Sequence, residues 1–176
     1  MVEATERLVG IYLESKGFLV KFGYTVKVAK RRILEADIIA ARLVNQQSED
    51  LLPNKIIGEV KSWQLTPACF PASHKKAQMK SRAYYNKFKI INNGRYRKTF
   101  LKNIEGHYGN GFEFCIFAKK EQPKHKQLME ETLKALDVKF ISLEKVAEDI
   151  MLFSKSKSYS NDPELQLMRL VAGLKK

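Results

Sequence analysis

Hydrophobic and polar positions change rhythm several times along this chain. From Glu3 to Gly17 the residues Leu8, Ile11, Tyr12 and Ser15 follow a helical stripe, and the pair Lys16–Gly17 supplies a stop. The spacing therefore predicts a first helix. "FLVKFGYTVKVAKRRILEADIIAARLV" then turns to β-branched and aromatic residues. That predicts a strand, a basic turn at "AKRR" and a second strand from about Ile33 to Val44. The polar stretch "NQQSEDLLPN" reads as a loop, and "KIIGEVKSW" as a third strand.

"QLTPACFPAS", with two prolines, reads as irregular, and His74 to Lys89 as a strongly basic helix. "NNGRYRKTFLKN" breaks and resumes as a second helix or a loop, and "EGHYGNG" reads as a turn. A fourth strand follows in "FEFCIFAKK". Next comes an amphipathic helix in "KHKQLMEETLKAL", with Leu128, Thr132 and Leu136 on its stripe. "VKFISL" is a fifth strand and "EKVAEDIMLF" a helix behind it.

The order α-β-β-β-α-β-α-β defines an α/β domain with a central mixed sheet of about five strands flanked by helices. Residues 1–153 form that domain. Residues 154–161, within the small polar run "SKSKSYSN", read as a flexible linker. Residues 162–176 read as a C-terminal helix, with Asp162 as N-cap and Pro163 at the first helical position. A length of 176 residues suits one domain.

One strand carries more than packing requires. Residues i and i+2 of a strand share a face, so Glu59 and Lys61 in "GEVKS" project together, as do Glu35 and Asp37 in "LEADIIA". If the two strands pair antiparallel across residues 45–54, these side chains converge at one edge of the sheet. Neighbouring carboxylates repel each other and are stable with a divalent cation between them. Oxygen ligands alone suit Mg²⁺ or Mn²⁺. The Lys61 ammonium would then orient or help deprotonate a metal-bound water, or neutralise charge as phosphate is attacked. An isolated Glu-x-Lys is a frequent chance pattern and an ordinary solvent-facing ion pair. The acid on the preceding strand is what sets this one apart. Asp37 is favoured over Glu35 because "IIA" follows it directly. Glu35 is then a further ligand or a partner of Arg31 or Arg32.

Charge narrows the partner. A formal net charge of +13 attracts polyanions, nucleic acid first and anionic membrane second. Lys75, Lys76, Lys80, Arg82, Lys87, Lys89, Arg95, Arg97, Lys98 and Lys102 crowd one stretch. These cations are candidate contacts to a nucleic-acid backbone, Lys75, Lys76, Lys80, Arg82, Arg95, Arg97 and Lys98 foremost. Lys30, Arg31 and Arg32 in the early basic turn are a second candidate group. The interleaved Tyr84, Tyr85, Tyr96 and Phe100 read as core rather than as base-stacking platforms. His74, His107 and His125 are scattered, without metal-ligand spacing.

Two distant cysteines, Cys69 and Cys115, suggest neither a disulfide scaffold nor a zinc site, and fit a reducing, cytoplasmic setting. The N-terminus does not read as a secretory signal, and no apolar run is long enough to span a bilayer. No membrane partner is expected.

"ADIIA" followed by "GEVKS" resembles the active-site motif of the PD-(D/E)xK nuclease superfamily, and "KGF…DIIA…EVKS" is most similar locally to archaeal Holliday-junction resolvases and related small nucleases. The resemblance covers roughly the first 65 residues. It implies a restriction-endonuclease-like core and a Mg²⁺- or Mn²⁺-dependent DNA endonuclease acting on duplex or branched DNA. It matches Asp37 to the first acid, Glu59 to the second and Lys61 to the lysine, with Ala36 where the family usually has proline. It adds Glu6 as a carboxylate from the first helix and the Val60 carbonyl as a further metal ligand. It also implies a homodimer, toward which the C-terminal helix could offer an apolar face. The alternative is a catalytically inactive nucleic-acid-binding protein of the same fold. A third class is a basic protein docking to acidic partners or membrane, which no helix in the sequence demands.

Overall fold

The computed structural model describes residues 2–29, 32–42, 52–70, 88–121 and 123–156. Helix α1 (Ala4–Ser15) leads into a long hairpin of β1 (Phe18–Ala29) and β2 (Arg32–Arg42), followed by β3 (Lys55–Gln64). A single 3₁₀ turn, Pro67–Cys69, stands in the proline-rich stretch expected to be irregular. Beyond it come α2 (Lys89–Asn92), α3 (Gly94–Tyr108), β4 (Glu113–Lys119), α4 (Lys126–Ala135), β5 (Val138–Ser142) and α5 (Leu143–Ser156). The protein is thus an α/β domain whose five strands lie in sequence order, β1-β2-β3-β4-β5. The first three are antiparallel, whereas β3–β4 and β4–β5 are parallel.

Both faces of the sheet are covered. On one side, Leu34, Ala36, Ile57, Phe114 and Ile116 pack with Phe88, Phe100, Ile104, Met129 and Leu133 from α3, α4 and the chain entering α2. On the other, Ile38, Ile56, Val60 and Phe117 pack with Val9 and Leu13 of α1 and with Val146 and Ile150 of α5. Burial on two faces is why β3 and β4 read as nearly continuous apolar runs.

Three local expectations are corrected. Glu105–Tyr108, read as part of a turn, completes α3, and the glycine that ends that helix is Gly109. In α4 the inward positions are Met129, Thr132 and Leu133, while Leu128 is 44% exposed. Thr132 keeps its inward place, and beside it Met129 and Leu133 pack on the sheet in place of Leu128. Helix α5 runs on to Ser156, so residues 154–156 are helical rather than linker. The expected helices at 74–89, before Phe88, and at 162–176 lie outside the described residues, as does the rest of the 154–161 stretch. Among the described residues no helix is long and apolar enough to cross a membrane. Cys69 and Cys115 are both free and buried.

The hairpin has an unusual middle. In β2, Leu34 and Ala36 belong to the first core, but Ile38 and Ala40 belong to the second. In β1, Tyr24 and Val26 face the first core, while Val20 and Phe22 pack against the second. Strict alternation would keep each set on one side. Both strands therefore turn over at one rung, between the pairs Phe22–Ile38 and Tyr24–Ala36. Gly23 occupies that rung at φ 61°, a left-handed conformation that a side chain would disfavour. Asp37 occupies it on the other strand.

Candidate metal centre and nucleic-acid interface

The site forms where two strands part. Strands β2 and β3 pair from Ala41–Lys55 to Ile38–Gly58, where their regular pairing ends. Glycine suits that last rung, because a Cβ at Gly58 would lie 3.3 Å from the Phe117 ring and 3.5 Å from Ile38 Cβ. Beyond it a side chain closes the gap. The Val60 N–H donates to Asp37 Oδ2 at 2.7 Å, and Lys61 Nζ donates to the same oxygen at 2.6 Å. Lys61 Nζ also lies 3.1 Å from Glu59 Oε2. Asp37, Glu59 and Lys61, the three residues of the sequence motif, thus converge within ion-pair distance.

Glu59 and Lys61 are tuned by burial and by their neighbours. Glu59 is 4% exposed, in a central strand between two cores. Removal from water pushes its carboxyl up to about 8, a rise that the Lys61 ammonium opposes and the Asp37 charge adds to. Burial alone would lower the Lys61 pKa, but the attraction of Glu59 and Asp37 and its hydrogen bonds to them outweigh it, so the net shift is upward. Lys61 is therefore held as an ammonium and does not serve as a base in this arrangement. The Phe88 ring centroid lies 5.7 Å from its Nζ.

Glu6 has a second occupation. As the third residue of α1 it completes a capping box: the Glu3 N–H donates to Glu6 Oε2 at 3.2 Å. Burial raises its pKa, the Glu3 hydrogen bond lowers it, and Asp37 and Lys61 act on it with opposite signs. Glu6 thus lies within the field of the triad while its carboxylate serves the helix end. Val60 turns its side chain into the second core and its amide toward Asp37.

The triad opens into a cavity of about 230 Å³ lined by Glu35, Asp37, Glu59, Lys61, Lys89 and Ile90, among others. Two of the charged linings go beyond the motif. Glu35, for which the sequence allows either a ligand or an ion-pair role, stands on the cavity wall. Lys89, one cation among ten in the basic stretch, stands there too. The only sequence signal for it is its place beside the apolar trio of Phe88, Ile90 and Ile91.

The donor set suits a hard divalent cation. Two carboxylates share one ammonium, so the ionised trio carries a net negative charge, and the buried Glu59 is short of compensation. Among the described residues no group of three or more His, Cys, Asp and Glu is arranged to hold a metal. A cation here would complete its shell with waters, a backbone oxygen such as the Val60 carbonyl, and substrate oxygens. Mg²⁺ prefers that arrangement to an all-protein cage.

The cationic candidates divide. Arg95 and Lys98 are exposed on α3. Arg97 instead holds the fold together. Its guanidinium donates to the Leu136 carbonyl and, at 3.0 Å, to the Asp137 carbonyl, closing the C-terminal end of α4. It also stacks 4.4 Å from the Phe114 ring centroid. Replacing Arg97 with Ala is expected to cost about 1–3 kcal/mol, because carbonyls lose charged donors. Lys98→Ala should stay within about 0.5 kcal/mol of the parent. Thermal unfolding of the two variants separates the cases. Lys30, Arg31, Lys75, Lys76, Lys80 and Arg82 lie outside the described residues, and of the Arg32 side chain nothing is described.

The chain matches no protein-family model, no curated protein and no solved structure among those with which it was compared.

Proposed function

We propose that this protein is a divalent-cation-dependent DNA endonuclease with a restriction-endonuclease-like core, which hydrolyses phosphodiester bonds of duplex or branched DNA. The observation that carries the reading is the convergence of Asp37, Glu59 and Lys61 where β2 and β3 part, in a strongly basic chain. Asp37 and Glu59 would hold Mg²⁺ or Mn²⁺, with the Val60 carbonyl as a further ligand. The metal, when bound, supplies Lewis acidity at the phosphate and lowers the pKa of a bound water.

The chain's own residues do the rest. The Val60 amide fixes the Asp37 carboxylate. Lys61, kept protonated by its two acids, orients the attacking water and offsets charge that builds on the phosphate. Glu6 adds negative potential from the first turn of α1. Exposed cations such as Arg95 and Lys98 contact the DNA backbone without reading sequence. Pairing of two copies would let each cut one strand.

The test is incubation with linear duplex, single-stranded and four-way-junction DNA in Mg²⁺, Mn²⁺ or EDTA, alongside Asp37→Asn. Metal-dependent cleavage that disappears in the variant is expected. Cleavage persisting in EDTA or in Asp37→Asn rejects the mechanism. Binding without cleavage in every metal assigns the chain to the non-catalytic nucleic-acid-binding class.

A further inference from the structure

A phosphodiester approaching this cavity meets a problem of charge. Glu35, Asp37 and Glu59 line it, and of the two lysines that line it among the described residues, Lys61 is already engaged. Lys61 Nζ sits 2.6 Å from Asp37 and 3.1 Å from Glu59, and its side chain is only 14% exposed. While it holds both acids it can offset charge on a phosphate already seated beside them, but it cannot reach out to grip the backbone at the cavity mouth. Among the described residues the other ammonium on the wall is Lys89, and it is exposed.

Its mounting is firm although its head is free to extend. Phe88, Ile90 and Ile91 are all buried around it. Asn92 Nδ2 donates to the Cys69 carbonyl at 2.7 Å and ties this short helix to the turn after β3. The Phe88 ring lies beneath the Lys61 ammonium and against Trp63, with ring centroids 5.9 Å apart. The backbone that carries Lys89 is thereby keyed to the strand that carries Glu59 and Lys61. A long, flexible ammonium on a fixed base at the mouth of an acidic cavity is suited to gripping a phosphate as a point charge.

We infer that Lys89 is a substrate-positioning residue that binds a DNA backbone phosphate at the mouth of the Asp37–Glu59–Lys61 cavity. This rests on the nuclease reading above for the identity of the polyanion. Lys89 holds the backbone and touches neither metal nor nucleophile, so it acts on binding rather than on the chemical step.

The test compares full-length wild type, Lys89→Ala and Lys89→Arg. Binding to fluorescent duplex and four-way-junction DNA is measured across a salt series, cleavage is split into KM and kcat, and Mn²⁺ binding is followed by calorimetry. Lys89→Ala is expected to weaken DNA binding and flatten the plot of log affinity against log salt by about one unit, the loss of one phosphate contact. KM should rise with kcat nearly unchanged, Mn²⁺ affinity should be unaltered, and Lys89→Arg should restore most of the slope. A wild-type salt slope and KM in Lys89→Ala overturns the inference. So does a fall in Mn²⁺ affinity with the slope intact, which would make Lys89 part of the metal centre. Wild type that binds DNA without cutting it, but with a slope that drops in Lys89→Ala, sinks the nuclease reading and leaves the phosphate contact standing. Wild type that binds no DNA overturns both.

Discussion

Glu59→Gln is expected to lower metal-dependent cleavage by roughly a thousand-fold, since a catalytic metal contributes several kcal/mol of transition-state stabilisation, and yet to make the metal-free protein more stable at pH 8. The second half follows from the direction of the Glu59 shift. Its carboxyl titrates near 8 in the folded chain, against an ordinary value of 4.5. Below the ordinary value both states carry the proton and the group is neutral to stability. Between the two values the folded chain holds a proton that the unfolded chain has released, so stability falls as pH rises, by about 1.4 kcal/mol per unit at most. The loss amounts to a few kcal/mol by pH 8. Glutamine keeps the shape and removes the titration. In EDTA the parent should lose melting temperature steadily from pH 5 to 8, while the variant stays nearly level. Mn²⁺ should restore the parent at pH 8 and do little for the variant. A parent melting temperature that is flat across this range in EDTA would show that Glu59 is not held against its charge.

Lys61→Met is expected to have the other large effect. Removing one partner of a buried ion pair costs about 3–5 kcal/mol, because the remaining charge is left uncompensated. Here Asp37 Oδ2 loses one of its two donors, and Glu59 loses a cation that opposes its protonation. A divalent cation can replace the missing positive charge. Mn²⁺ should therefore raise the melting temperature of Lys61→Met by more than it raises that of wild type. Cleavage should remain depressed by roughly two to three orders of magnitude, the usual effect of deleting a preorganised charge-stabilising donor. Equal stabilisation of both proteins by Mn²⁺ would mean that the cation does not sit between Asp37 and Glu59.

Much of this molecule is legible in its sequence, for identifiable reasons. Every described strand carries apolar, β-branched or aromatic runs, so the element order can be read through to the last described helix. The Asp37–Glu59–Lys61 cluster is legible because a two-residue period puts 59 and 61 on one face, and antiparallel pairing with β2 brings Asp37 alongside. Other features depend on distance in space. Nothing local to Arg97 says that it will reach the end of α4, 39 residues onward at Leu136. Leu128 and Met129 are equally apolar neighbours, and only the sheet decides which one turns inward. The position of Lys89 beside the triad depends on Phe88 packing under Lys61, a contact between residues far apart in the chain. Glu6 shows the reverse case. Its capping box joins residues only three apart, yet its electrostatic link to Asp37 and Lys61 emerges only in three dimensions.

The turnover at Gly23 and Asp37 divides the hairpin into two ribbons with different obligations. The ribbon from Phe18 to Phe22 and from Ile38 to Arg42 is registered against β3, and that register decides where the Asp37 carboxylate ends up. The ribbon outboard of the turnover contributes Tyr24, Val26, Leu34 and Ala36 to a different core and has no rung with β3. The inner rungs thus fix the acid, while the outer ribbon brings Leu34 and Glu35 to the wall of the same cavity. A change on either side of that single rung is therefore felt in one cavity, through the placement of the acid on one side and through the cavity wall on the other.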